Sequence, residues 1–225
     1  MDDMELAYAL RTMREHIYEQ AKNFSLGGML AFTHLVGRDE RGEPIEPAAI
    51  HWSWFAHIFY CWQRGTIPVI LAPWGHGKSV NVAILLPLWL LGHDENMRQK
   101  IICNSDDNAV KRVRAIRSFI GDTLKNRNKN LGIIFPHLRR GTGPWGDHSI
   151  AIRKSPGAVS ADCSLEAHGV FGTGIGGRAD LLILDDVPDR RNSIEQPIMR
   201  SRVISTVKGT WMSRLEPTGR QAEIM

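Results

Sequence analysis

VILAPWGHGKSV, from Val69 to Val80, joins a short β-branched run to a polar, glycine-containing turn and then to a long apolar segment. Ile67–Ala72 reads as a buried strand, and the run after Val80 predicts a helix to about Leu91. Between them lie Pro73, Trp74, Gly75, His76, Gly77, Lys78, Ser79 and Val80, in the strand–turn–helix context that a phosphate-binding P-loop requires. Glycines let backbone N–H groups close around phosphate oxygens, and the start of a helix adds a positive dipole end. Lys78 is then placed to reach the β- and γ-phosphates, and Ser79 to coordinate Mg²⁺. The full signature has glycine where Ala72 stands, so this is a variant P-loop. The competing reading, a glycine turn with an exposed lysine, explains less of the surrounding pattern.

LLILDDVPDRR, Leu181–Arg191, poses a charge problem. Asp185 and Asp186 are adjacent at the end of an apolar run, where their like charges repel. A cation held at the P-loop would offset them. In P-loop enzymes a second buried strand ends in an aspartate that helps hold Mg²⁺. Asp185 fits that role, and Asp186 fits a carboxylate that orients or deprotonates the attacking water. By themselves the two residues would read as a strand-end turn capping the next helix; the upstream P-loop favours the metal reading. Arg178, in GIGGRAD just ahead of this strand, has two readings. One is a cation reaching the γ-phosphate in its own or a neighbouring subunit. The other is a salt-bridged surface arginine.

Outward from these segments, strand and helix alternate. KIICN (Lys100–Asn104) reads as a buried strand, and Ser105 or Asp106 caps a helix carrying Val110, Val113, Ile116 and Ile120. HSIAIRK (His148–Lys154) and CSLEAHGV (Cys163–Val170) read as strands, Ile194–Thr206 as a helix, and GRQAEIM as the start of another strand. Asn126–Pro144 is irregular, basic and glycine-rich. At the other end, Leu6, Leu10, Met13, Ile17, Ala21 and Phe24 recur at helical spacing, and VGRDERGEP (Val36–Pro44) is a polar loop. A helix after Pro47 places Trp52, Phe55, Phe59 and Trp62 on one face. The sum is an α/β chain with a mainly parallel central sheet flanked by helices. It divides into an N-terminal helical region, 1–64, packing on a P-loop core, 65–225.

Composition narrows the class. The 225 residues are 43% hydrophobic and 23% charged, ordinary for a globular protein with a real core. The net charge of +4 fits an anionic partner without establishing one. Cys61, Cys103 and Cys163 are odd in number and far apart, which argues against a disulfide framework or a zinc site and for a reducing compartment. The longest apolar run, Val82–Gly92, is too short to span a bilayer and contains Pro87, and the acidic start has no signal-peptide pattern.

APWGHGKS, then IICNSDDNAVKRV, then GVFGTGIGGRADLLILDDVPD resemble, in order and spacing, the ATPase domain of phage large terminase subunits, over roughly Ala48–Arg214. The resemblance implies an ASCE-type P-loop NTPase with an extra strand between the Lys78 and Asp185 strands. It implies an Mg²⁺-dependent ATPase coupled to translocation of double-stranded DNA into a procapsid. The implied partners are a portal protein, a small terminase subunit and further copies in a ring, with no membrane. The setting is host cytoplasm, transiently at the portal. Carried over by position, Lys78 and Ser79 are the phosphate and Mg²⁺ ligands, Asp185 the Walker B aspartate, Asp186 the catalytic carboxylate and Arg178 a candidate arginine finger. His51 falls in the region near the adenine. Two departures stand out. Trp74 occupies the place where many members carry an in-loop arginine, and the chain stops at Met225, before the coupling motif and nuclease domain of full-length members. Other readings are a helicase-like ASCE translocase and a nucleotide-gated scaffold without turnover.

Weaker signals have blander readings. The aromatic cluster Trp52, Trp54, Phe55, Phe59, Tyr60 and Trp62 reads as helix packing before adenine stacking. Lys111, Arg112, Arg114 and Arg117, with Lys125, Arg127 and Lys129 beyond, read as a solvated helix face before a DNA-backbone contact. Arg139, Arg140, Arg190 and Arg191 share that ambiguity. His51 and His57 have no third ligand to make a metal site.

Overall fold

The computed structural model describes residues 3–39, 41–159, 161–172, 176–189 and 196–225. Three helices come first: α1 (Asp3–Ala21), α2 (Leu26–Val36) and α3 (Ala49–Gln63). The core follows as β1 (Val69–Ile70), α4 (Lys78–Val80), a π-helical turn over Asn81–Leu85, α5 (Leu86–His93), β2 (Gln99–Cys103) and α6 (Asp106–Ile120). Then come α7 (Lys129–Ile134), β3 (Arg140–Trp145), β4 (Ser149–Ile152), β5 (Leu165–Gly169), β6 (Ala179–Asp185), α8 (Pro197–Thr206) and β7 (Leu215–Ile224). The expected helix at Ile194–Thr206 begins at Pro197, and Ile194 lies outside the described residues, as do Arg190 and Arg191.

The strands form one sheet in the order β1-β7-β6-β2-β5-β4-β3. The five from β1 to β5 are parallel, and β4 and β3 add an antiparallel margin. β7 is the strand between the P-loop strand and the Asp185 strand. Its partners are Val69↔Glu223 on one side and Asp185↔Ile224 on the other. β1 is shorter than the expected Ile67–Ala72 because Pro68 and Pro73 lack donors. Pairing nevertheless continues on both sides of it, from Glu223 N–H to the Pro68 carbonyl (3.0 Å) and from Ala72 N–H to the Met225 carbonyl (3.0 Å).

The central parallel strands β2 and β6 are buried on both faces, as the near-continuous apolar run of β6 requires. One face carries the main core, where Ile101, Ile183 and Ala222 meet Val113 and Ile116 of α6, Leu88 and Trp89 of α5, and Met29 and Phe32 of α2. The other face is a smaller cluster of Ile102, Leu182, Leu184, Val203 and Trp211 under α8.

The N-terminal region departs from its expected faces. On α1, Tyr18 and Ala21 are buried, whereas Leu6, Leu10 and Met13 are exposed, as is Phe24 just beyond the helix. Tyr18 wins because its hydroxyl donates to Asn130 Oδ1 at 2.6 Å. On α3 the buried stripe is Trp54, Phe55, Ile58 and Cys61. Trp52 is exposed, and Phe59 and Trp62 pack only partly. α3 is pinned to the sheet by Trp62, whose indole N–H donates to the Gln221 carbonyl of β7 at 2.8 Å.

Candidate functional site

Gly75 and Gly77 give the loop after β1 its shape. Both take positive φ, +85° and +73°, a backbone region that costs a side-chain-bearing residue about 1 kcal/mol or more. A Cβ on Gly75 would meet nothing within 4 Å, so its outer side is open to a ligand. Asn81 steadies the turn by donating from Nδ2 to the Gly77 carbonyl at 2.9 Å.

His51 braces the loop from α3. Its Nδ1 accepts the Ala48 N–H at 3.0 Å, so Nε2 carries the hydrogen and donates to the His76 carbonyl at 3.1 Å. His51 thus touches the phosphate loop itself. Pro73, Trp74, Gly75 and His76 are exposed along the loop, Trp74 almost fully at 94%.

Because β1, β7 and β6 are parallel, the loop after β1 and the end of β6 emerge at the same edge of the sheet. There Ser79 Oγ donates to Asp185 Oδ1 at 2.9 Å, and Lys78 Nζ lies 3.6 Å from Asp186 Oδ2. Asp185 is buried and Lys78 nearly so. Burial raises the Asp186 carboxyl above its ordinary pKa, and Lys78 opposes that shift. Asp186 also has φ 49, the sole positive value among described non-glycine residues. Aspartate tolerates this left-handed conformation better than most side chains. Burial and then the charge of Asp185 push the neighbouring Cys103 thiol up to about 12, so it is no nucleophile.

Asp185 has a partner the sequence reading did not give it. Arg112 of α6 donates from Nε to Asp185 Oδ2 at 2.5 Å. The signal was present: Arg112 lies three residues after Ala109 and four before Ile116, both buried, which places an arginine beside a core stripe. The other basic residues nearby are also engaged within the chain. Arg114 and Arg117 reach Asp147 at 2.6 and 3.4 Å, and Lys111 donates to Asn108 Oδ1 at 3.0 Å. Arg127 and Arg139 donate to the Pro136 carbonyl at 3.3 and 2.8 Å.

Arg178 does not join this site. It immediately precedes β6, whereas Asp185 ends it, so the strand separates them by roughly 20 Å. Arg178 is exposed at the opposite edge, 3.3 Å from Glu216 and beside the Arg98–Asp180 pair at 2.8 Å. The expectation that Arg178 reaches the γ-phosphate within its own chain is corrected on this ground.

The donors that converge here are one hydroxyl and two carboxylates, a hard-oxygen set suited to Mg²⁺. Among the described residues no cluster of three or more His, Cys, Asp or Glu forms a metal cage. No helix among them is long and apolar enough to cross a membrane.

No protein-family model matches the sequence, and no curated protein matches it. Among solved structures, the HK97 bacteriophage large terminase is similar at TM-score 0.53 and 14% identity, over 87% of this chain and 36% of that one. The large terminase ATPase domain of Thermus phage P74-26 aligns at TM-score 0.37 and 15% identity, over 80% of this chain and 70% of that one. The chain thus spans little more than a third of the HK97 protein, at 36%. With its P-loop, mainly parallel sheet and inserted β7, the chain has the ASCE-type P-loop fold, and in that fold it resembles phage large terminases.

Proposed function

We propose that this chain is an ATP-hydrolysing motor domain of a viral DNA-packaging terminase. The observation that carries the reading is the Ser79–Asp185 hydrogen bond, 2.9 Å long, with Lys78 and Asp186 beside it at the same edge of the sheet. The backbone of Pro73–Val80 receives the phosphates of ATP, and Lys78 neutralises charge on the transferred γ-phosphoryl. Ser79 and Asp185 would hold Mg²⁺, through one hydroxyl and one carboxylate oxygen. When bound, the metal neutralises charge developing on the phosphate oxygens. Asp186 accepts a hydrogen bond from the attacking water, aligns it on the γ-phosphorus and takes its proton as the bond from that phosphorus to the β–γ bridging oxygen breaks and ADP leaves. Burial, which raises its carboxyl, makes it a stronger acceptor while ionised.

In this reading residues 1–64 are a helical brace on the 65–225 core, coupled to it through His51 and Trp62. The motor acts in host cytoplasm at a procapsid portal, as a ring of copies with a small terminase subunit, on double-stranded DNA. The terminase-like fold and the net charge of +4 support that setting. A γ-phosphate arginine then comes from a neighbour, and Arg178 at the opposite edge is the candidate.

The same position of Arg178 favours a second reading, a nucleotide-binding scaffold whose own site is incomplete. A helicase-like translocase differs from both in separating strands. Steady-state ATP hydrolysis across protein concentration, with Lys78→Ala as control, tests the proposal. A rate rising faster than linearly and lost in the variant is expected. ATP binding without turnover, unchanged by Asp186→Ala, selects the scaffold. Absence of ATP binding overturns the P-loop reading.

A further inference from the structure

Asp185 is fully buried as a side chain, yet its two oxygens face different elements. Oδ1 accepts the Ser79 hydroxyl from the P-loop side, and Oδ2 accepts Arg112 Nε from α6. β6 lies between these elements in the sheet, because β7 and β1 are on one side of it and β2, which leads into α6, is on the other. Arg112 therefore holds the carboxylate without occupying the side that faces the P-loop. Its own side chain is only 19% exposed, and the contact is a charge-assisted hydrogen bond.

We propose that Arg112 is a positioning residue for the metal-binding aspartate: it fixes the Asp185 carboxylate by Oδ2 so that Oδ1 is aimed at Ser79 before Mg²⁺ and nucleotide arrive. This rests on the P-loop reading above and adds to it a residue of α6. Ser105 caps that helix, accepting the Asn108 N–H at 3.4 Å, and the register Cys103↔Asp185 sets the helix start beside the site. Cys103 leads directly into the capped helix, so Arg112 is delivered two turns later to the end of the neighbouring strand. A metal ligand held by an outer partner loses less conformational freedom on binding, and loss of such partners weakens metal affinity by about 10- to 100-fold.

The test is an Mg²⁺ titration of binding of a fluorescent ADP analogue to the full chain, comparing wild type, Arg112→Ala and Arg112→Lys. In Arg112→Ala the Mg²⁺ concentration at half-effect rises about tenfold, while analogue binding without Mg²⁺ is unchanged. Arg112→Lys, which keeps the charge and loses the planar fork, falls between the two. Should Arg112→Ala fail to fold, because a buried carboxylate has lost its partner, Arg112→Lys decides alone: a raised Mg²⁺ requirement supports the proposal and a wild-type requirement overturns it. A lowered Mg²⁺ requirement in either variant also overturns it, since Arg112 would then compete with the metal. A wild-type chain that binds no analogue removes the P-loop reading and this inference together. A wild type that binds, with variants indistinguishable from it, removes this inference alone.

Discussion

Asp186 donates its backbone N–H to the carbonyl of Ile224 at 2.8 Å, from a left-handed conformation with φ 49. The bond ties the carboxylate to the strand between it and the P-loop strand, and the conformation restricts which side chains can stand there. Asp186→Asn keeps both the backbone preference and the shape, and removes the charge. In the proposed mechanism its kcat falls by about 10² or more while nucleotide binding is kept. Asp186→Ala suffers the same loss and an added backbone cost of about 1 kcal/mol. Steady-state kinetics and a melting curve separate the two effects.

The same residue sets a pH dependence. Its carboxyl is raised in the fold, so the folded chain binds this proton more tightly than the unfolded chain does. That contribution is fully present below the ordinary carboxylate pKa and is lost as pH rises through the higher folded value. Asp186→Asn therefore melts higher than wild type at neutral pH, and the gap closes in acid. Melting temperatures of both proteins across pH check this; a constant gap would refute it.

Ser79→Ala leaves the buried Asp185 Oδ1 without its protein donor. Loss of such a bond costs about 1–3 kcal/mol, and Ser79→Thr, which retains the hydroxyl, recovers most of it. Chemical denaturation without nucleotide measures the cost. Lys78→Ala spares stability more, because its partner Asp186 is half-exposed, but removes hydrolysis.

Glu166 is the counter-ion of Lys100, a lysine that is 2% exposed within the sheet. Burial would raise the Glu166 carboxyl, but the His168 ring 3.7 Å away and the hydrogen-bonded Lys100 ammonium outweigh it and hold the group at about 2. A depressed carboxyl stabilises the fold above its unfolded pKa and loses that contribution as pH falls toward about 2. Glu166→Gln is thus destabilised by about 3 kcal/mol at neutral pH, less in strong acid, since Lys100 loses its counter-charge and keeps neutral acceptors such as the Gly176 carbonyl at 2.8 Å. Urea midpoints at two pH values read this directly.

Gly92 ends α5 against an aromatic ring. A Cβ there would stand 2.2 Å from Phe135 Cδ2, so Gly92→Ala forces a core ring to move and costs about 1–3 kcal/mol. Phe135→Leu in the same chain relieves the clash and returns part of the loss. Thermal melts of the single and double variants give the coupling.

Particular residues show what could be read without coordinates. The β-branched run before Gly75, the Ser105 cap and the apolar run into Asp185 each carry a local signal, and β1, α6 and β6 stand where those signals put them. α2 gave less to read: Gly27 and Gly28 weaken its helical signal, and its apolar residues run almost all round it. β3, RGTGPW, contains two glycines and a proline and owes its extended form to β4. The candidate site was legible where its contacts are local, in the loop that carries Lys78 and Ser79. It was illegible where tertiary contact decides, as with Arg112 and with His51 on the loop carbonyl. Arg178 is an intermediate case, since the length of the strand it precedes already implied its distance from Asp185.

β7 has a kinetic consequence. β1 joins the sheet through β7 alone among the described strands, so the P-loop strand has no place to dock until residues 215–224 have been made. The halves carrying Ser79 and Asp185 can each collapse earlier, but they close on one another only around β7, by pairings that are distant in sequence. Such closure is slow and leaves two parallel strand edges open while it waits. During synthesis the candidate site thus closes in one step that waits for residues 215–224, and a ribosome stalled short of β7 would display the two halves unjoined.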